Sequence, residues 1–170
     1  MKVLGIDPGS ETLGWGLVEG SGLKYVLVDY GTVKSSPKEA FSKRLLKIYD
    51  DVEAVIEKFQ PDVVSVEEAF YANNVKVALK LGQVRGVILL VGEKHHLEIS
   101  EYSPRLIKQT VVGYGNAEKH QVQEMVRLLL KMKTVPQPHD AADALAIAIC
   151  HFHHAGVQNR MNNAKLKIKN

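Results

Sequence analysis

Four carboxylates far apart in the chain share a local setting. Asp7 closes the apolar run Val3-Leu4-Gly5-Ile6, Glu67 closes Val63-Val64-Ser65-Val66, and Asp140 and Asp143 open the stretch Ala141-Ala142-Asp143-Ala144-Leu145-Ala146-Ile147. Each acid stands where an apolar segment ends or begins, so all four are candidates for one polar site at the rim of a core. Like charges gathered out of water need a compensating cation. Oxygen donors of this kind suit Mg²⁺ or Mn²⁺, and the single cysteine, Cys150, leaves no thiolate set for zinc. The pattern points to divalent-metal chemistry. Taken singly, each acid has a plainer reading: Asp7 before Pro8-Gly9 as a turn residue, Glu67 as a strand-end surface charge, Asp140 and Asp143 as helix-start acids favoured by capping and the helix dipole.

The elements that must position these acids follow from periodicity. Residues 2–7, 12–19 and 25–34 read as a meander of three strands, with Pro8-Gly9-Ser10 and Gly20-Ser21-Gly22 as its turns. Phe41, Leu45, Ile48, Val52, Val55, Ile56 and Phe59 recur at helical spacing until Pro61, which predicts a crossover helix to a strand at 63–67. A helix over 74–94, a strand over 97–102, a helix begun by Ser103-Pro104, and helices over 117–132 and 139–154 complete the chain. The expected fold is α/β, a mixed five-stranded sheet flanked by helices. With 63–67 parallel to 2–7, Asp7 and Glu67 leave the sheet at one carboxyl edge, where open α/β sheets bind ligands. Asp140 and Asp143, three apart on a helix, share a face and can converge there.

Composition sets the frame. The 170 residues fit a single domain, taken as 1–156, with a basic tail over 157–170 (Arg160, Lys165, Lys167, Lys169) expected to be mobile. A net charge of +3 is too mild to prove a polyanionic partner, although basic residues concentrate in the second half. No run approaches the roughly 18 apolar residues of a membrane span, and the N-terminus enters a strand pattern directly, so a cytoplasmic protein without a membrane partner is expected. Cys150 lies in an apolar helical run and reads as a core residue of a reducing compartment. His151, His153 and His154 suggest a metal tract, but lacking paired ligands nearby they read as a polar helix end.

The strings Gly5-Ile6-Asp7-Pro8-Gly9, Val66-Glu67-Glu68-Ala69-Phe70, Ala78-Leu79-Lys80-Leu81-Gly82-Gln83-Val84-Arg85-Gly86 and Asp140-Ala141-Ala142-Asp143-Ala144-Leu145-Ala146, in this order and spacing, resemble the RuvC family of Holliday-junction resolvases. Lys108-Gln109-Thr110-Val111-Val112-Gly113 and Ala117-Glu118-Lys119 extend the match, which spans about residues 2–154. The resemblance implies a ribonuclease H-like fold, a homodimer, and magnesium-dependent, paired symmetric nicking of four-way DNA junctions in recombination and repair, leaving 5′-phosphate ends. It also implies a branch-migration helicase complex as a partner. Carried onto this chain, the metal-binding carboxylates are Asp7, Glu67, Asp140 and Asp143. Alternation from Val64 and Val66 keeps the neighbouring Glu68 off the face of Asp7, and Asp140, not His139, lies three before Asp143.

On that reading the reaction is phosphodiester hydrolysis by two Mg²⁺ ions about 3.5–4 Å apart, with Mn²⁺ able to substitute and Asp7 bridging the pair. Lys119, at a helix start, and Lys108 are candidate phosphate contacts. Phe70 is placed to stack on a base unpaired at the crossover, and Lys76 and Arg85 are further backbone-contact candidates. His139 is a candidate to hydrogen-bond an Asp ligand or assist proton transfer. The 74–94 helix, with Val77, Leu81, Val84, Ile88, Val91 and glycines 82, 86 and 92, could pack on the sheet or on its own copy in a C₂ dimer. A phosphate-binding ATPase of the actin-like class is a poor rival, since the chain is short for two lobes and Gly113–Lys119 lacks a P-loop ending. A junction-binding protein that does not cut is the other rival.

Overall fold

Runs of small and branched residues build a meander of three strands in the first 34 residues and two further strands later in the chain, and helical periodicity elsewhere builds the layers that cover the sheet. The computed structural model describes residues 1–68 and 74–168. The strands are β1 (Lys2–Asp7), β2 (Thr12–Ser21), β3 (Lys24–Lys34), β4 (Val63–Glu67) and β5 (Glu98–Tyr102), and the helices are α1 (Phe41–Phe59), α2 (Val75–Lys94), α3 (Pro104–Val112), α4 (Lys119–Leu129) and α5 (His139–Ile168). The sheet order is β3-β2-β1-β4-β5, antiparallel across the meander and parallel from β1 through β4 to β5. The expected mixed sheet is therefore present, with β1 at its centre.

Because side chains alternate across a strand, the sheet has two different faces. Leu4, Ile6, Val64 and Val66 pack against Ile48, Val52 and Ile56 of α1 and Val84, Ile88 and Val91 of α2. Val3, Val18 and Val63 face the opposite layer, where α3, α4 and α5 supply Ile107, Val111, Val122, Val126, Leu145, Ile149 and Phe152. Each fully buried side chain of this size contributes roughly 1.5–3 kcal/mol. α5 is the buried member of that layer, with every residue from Ala144 to Phe152 less than a few per cent exposed.

α5 reaches the sheet because the strands remove side chains from its path. A Cβ on Gly5 would overlap the Ala144 carbonyl oxygen, one on Gly14 the Asp140 carbonyl, and one on Gly16 the Leu145 side chain and backbone. Ser65 Oγ donates to the Ile147 carbonyl at 3.4 Å on the same seam. Gly5 pairs with Gly16 and Asp7 with Gly14 across β1 and β2, so the seam leads directly to the carboxylate end of the strand.

Two expectations need correction. The last helix does not stop near 154 but continues to Ile168, since nothing in Ala155-Gly156-Val157-Gln158 is a strong breaker. The histidines are inward fastenings and not a polar helix end: His151 is 3 % exposed with Nδ1 at 3.0 Å from Tyr102 Oη, His153 Nε2 lies 3.3 Å from Tyr25 Oη, and His154 Nε2 lies 3.3 Å from Thr110 Oγ1. Burial lowers the pKa of His151 and His153, which favours neutral rings. Of the two placements left open for α2, packing on the sheet layer holds for its later turns through Val84, Ile88 and Val91, while Val77 in the first turns is half-exposed.

Candidate active site

Asp7 and Glu67 emerge side by side because β1 and β4 are in register, Ile6 opposite Val66, with both acids one residue further on. They lie on the α5 face, the face of Val3, Gly5, Val63 and Ser65. Glu68 points away and is exposed, its backbone N–H donating to the Tyr102 carbonyl at 2.9 Å. α5 starts at His139, so Asp140 occupies its first turn and Asp143 follows at one further turn's reach. The glycine seam lets this helix start come down over the strand end.

A cleft of ≈ 180 Å³ is lined by Asp7, Glu67, Asp143, Lys108 and Lys119 together with the apolar Pro104, Ile107, Val122, Ala146 and Ile147. Ser103 sets one wall by accepting from the Leu106 N–H at 3.4 Å as the cap of α3, which directs Lys108 into the cleft. The other wall is α4, whose start is fixed by reciprocal hydrogen bonds between Glu118 and Gln121. Lys119, the first residue of that helix, reaches Asp143 with Nζ 2.7 Å from Oδ2.

The electrostatics are those of crowded acids. Burial pushes the Asp7 carboxyl up to about 8, reinforced by the charges of Glu67, Asp143 and Asp140 and opposed by Lys119. Glu67 is raised by burial and by Asp143, while Lys108 and Lys119 pull it down. Asp140 acts on Asp7 through its charge but does not line the cleft. An oxygen-only donor set whose central member resists ionisation fits a hard divalent cation, which would supply the missing positive charge.

Other expected site residues are distributed differently. Phe70 lies outside the described residues. Lys76 is exposed in the first turn of α2, and Arg85 is committed to an ion pair with Glu101 on β5; neither lines the cleft. His139 is exposed at the start of α5 and is not among the lining residues. Glu53, Glu57 and His95 form a separate grouping with ligand atoms within 4.8 Å of one another, but the Lys94 ammonium already sits 2.7 Å from Glu53, and none of them lines the cleft. Two features escaped the sequence reading: the Lys119–Asp143 pair and the buried Arg44 beneath the turn after Asp7. Only the helix-start position of Lys119 gave a signal.

The sequence profile of the family described as "Crossover junction endodeoxyribonuclease RuvC" matches residues 3–151. The chain belongs to the RuvC family. A RuvC of Chloroflexus aggregans is 50% identical over 160 residues, covering 94% of this chain and 98% of the relative. Among solved structures, Thermus thermophilus RuvC in complex with a Holliday junction substrate superposes with TM-score 0.88 at 38% identity, covering 93% of this chain and 96% of that one. The yeast mitochondrial Holliday junction resolvase shares the fold, with TM-score 0.69 at 17% identity, over 96% of this chain and 85% of that one. RuvC membership accounts for an acid-lined cleft on a ribonuclease H-like sheet, and it brings divalent metal use with it. Among the described residues, no helix is long and apolar enough to cross a membrane.

Proposed function

We infer that this chain is a structure-selective endonuclease that resolves four-way DNA junctions by paired, symmetric nicks, with Asp7, Glu67, Asp140 and Asp143 as its metal ligands. The observation that carries the reading is Asp7: a carboxyl held near 8 by burial and three neighbouring acids, in a cleft that Lys108 and Lys119 also line. Bound Mg²⁺, two ions on the family pattern and replaceable by Mn²⁺, would activate water and shield the charge of the scissile phosphate. Asp7, nearest the centre of the acids, is the bridging candidate.

The protein's own groups then have separable tasks. Lys108 and Lys119 bring positive charge to the cleft and orient a phosphate oxygen, and Lys119 also pairs with the Asp143 carboxylate. The apolar part of the lining lowers the local polarity and strengthens the electrostatic interactions beside it. Phe70 is retained as the base-stacking residue and Lys76 as a backbone contact. Arg85 would have to exchange Glu101 for phosphate, which makes it the weakest of the DNA contacts.

Two active sites on one junction require two copies of the chain. One face along α2 supports a C₂ pairing, since Val75, Leu79 and Leu90 are more than 60% exposed and a Cβ on Gly82 or Gly86 would meet nothing within 4 Å. A branch-migration helicase complex is the further partner that family membership suggests.

The deciding experiment incubates the protein with a synthetic four-way junction and a matched duplex, with and without Mg²⁺, beside Asp7→Asn. Symmetric metal-dependent nicks on the junction are expected, and Asp7→Asn should reduce them by at least about 10²–10³-fold while retaining binding. Binding without metal-dependent cleavage in the wild-type protein would establish a non-cutting junction binder instead.

A further inference from the structure

Arg44 is a charged side chain buried to within 4 % of full enclosure, on the first turns of α1 and outside the cleft. Its hydrogen bonds go to neutral oxygens. Nε donates to Ser35 Oγ at 3.1 Å and Nη2 donates to the Ser10 carbonyl oxygen. Ser35 completes the knot: its hydroxyl donates to the same Ser10 carbonyl at 2.9 Å, and its backbone N–H donates to the Glu11 carbonyl at 2.9 Å. The guanidinium carbon also lies 5.4 Å from the centre of the Phe41 ring, and Lys80 of α2 covers that ring at 5.7 Å.

Burying a guanidinium is costly unless hydrogen bonds replace its hydration, so the groups that accept from Arg44 are held firmly to it. Here its two hydrogen bonds converge on one segment, directly at Ser10 and by way of Ser35 at Ser10 and Glu11: the turn Pro8-Gly9-Ser10-Glu11 that begins at the residue after Asp7. That turn has little slack. Pro8 fixes its own φ, and a Cβ on Gly9 would overlap the Thr12 carbonyl, so the backbone packs against itself on the inner side. Arg44 and Ser35 grip its outer side. A displacement of Ser10 therefore passes to Asp7 through two residues that cannot absorb it.

We propose that Arg44 is a positioning residue of the metal site: through Ser35 and the Ser10 carbonyl it fixes the turn that orients the Asp7 carboxylate. The inference rests on Asp7 as a metal ligand. It assigns to the α1 layer, on the face of the sheet opposite α5, a direct part in the geometry of the acids.

The test measures Mn²⁺ affinity by calorimetry and by electron paramagnetic resonance of free Mn²⁺, without DNA, for wild type, Arg44→Met, Arg44→Lys, Ser35→Ala and Asp7→Asn. Junction affinity in Ca²⁺ and the metal dependence of cleavage are measured alongside. Arg44→Met keeps the volume and loses the donors. Its Mn²⁺ affinity should fall by about 10–100-fold, the range expected when a partner supporting a metal ligand is lost. Junction affinity should hold, and raised metal concentration should restore cleavage. Arg44→Lys should recover part of the affinity, and Ser35→Ala should show a smaller loss in the same direction if Arg44→Met folds poorly. Unchanged Mn²⁺ affinity in both Arg44→Met and Ser35→Ala, with Asp7→Asn strongly impaired, would overturn the proposal and leave the Asp7 assignment standing. Loss of junction affinity with Mn²⁺ affinity intact would make Arg44 a DNA contact and would equally overturn it. Full Mn²⁺ affinity in Asp7→Asn would overturn the Asp7 assignment and this inference with it.

Discussion

Asp7 works against the fold that contains it. Its carboxyl titrates near 3.8 in the unfolded chain and near 8 in the folded, metal-free one. Below pH about 4 the group is protonated in both states and costs the fold nothing. Above pH about 8 it is ionised in both, and the folded state bears the full penalty of a buried charge among acids. Stability of the metal-free protein should therefore fall as pH rises from about 4 to 8, by several kcal/mol, since each tenfold change in proton affinity between the two states is worth about 1.4 kcal/mol. Glu67, also raised, adds to the slope in the same direction. Thermal melts in chelator across this range should show a flatter profile for Asp7→Asn than for wild type, and Mg²⁺ should stabilise wild type most at the alkaline end. Parallel profiles would show that Asp7 is not the strained acid. The same residue shows what a sequence can disclose: its place at the end of an apolar run, and the alternation that sets Glu67 and not Glu68 beside it, needed only local periodicity. Lys119 meeting Asp143, and Arg44 lying under Ser10, depend on packing between distant segments and left no periodic trace.

At the scale of elements, the approach of α5 to β1 and β2 governs where Asp140 and Asp143 sit. Gly14→Ala places a methyl group where the Asp140 carbonyl now lies, so the helix start must lift. The expected cost is about 1–3 kcal/mol in denaturant unfolding, accompanied by weakened Mn²⁺ binding in the protein that remains folded. Unaltered metal binding would mean that the helix start is not set by this contact. The strand and helix order was readable because each element carries its own period and its own breakers, such as Pro61 and Ser103-Pro104. The end of α5 was not, because polar composition after residue 154 says that a segment can be solvated without saying whether its backbone is helical. The histidines were misjudged for a related reason: only the tertiary arrangement shows that Tyr25, Tyr102 and Thr110 stand opposite them.

For the whole molecule, the issue is whether two clefts act together. If α2 pairs with its own copy, Leu79→Glu should yield a monomer by sedimentation, since it sets a charge on an apolar, 64 % exposed position of the contact face. Melting temperature should fall and lose its dependence on protein concentration, because the stabilisation that association gives the folded chain is removed while the side chain itself is largely exposed within the single chain. Junction cleavage should then appear as uncoupled single nicks. A Leu79→Glu protein that remains dimeric would move the interface elsewhere. Lys108 and Lys119 share their cleft with acids, so without metal the cleft's own attraction for DNA should be weak and its contribution to the salt dependence small.

The seam of Gly5, Gly14 and Gly16 beneath α5 has a consequence for amide exchange. Amides of Leu4–Ile6 and Ala144–Ala148 are enclosed between the central strand and the most buried helix, so their protons should reach solvent only when the entire domain opens. The acids are thus mounted on the slowest-exchanging part of the molecule. An ion that binds them retards exchange across both segments together, so occupancy of the site can be followed in the intact protein by hydrogen–deuterium labelling before any nucleic acid is added.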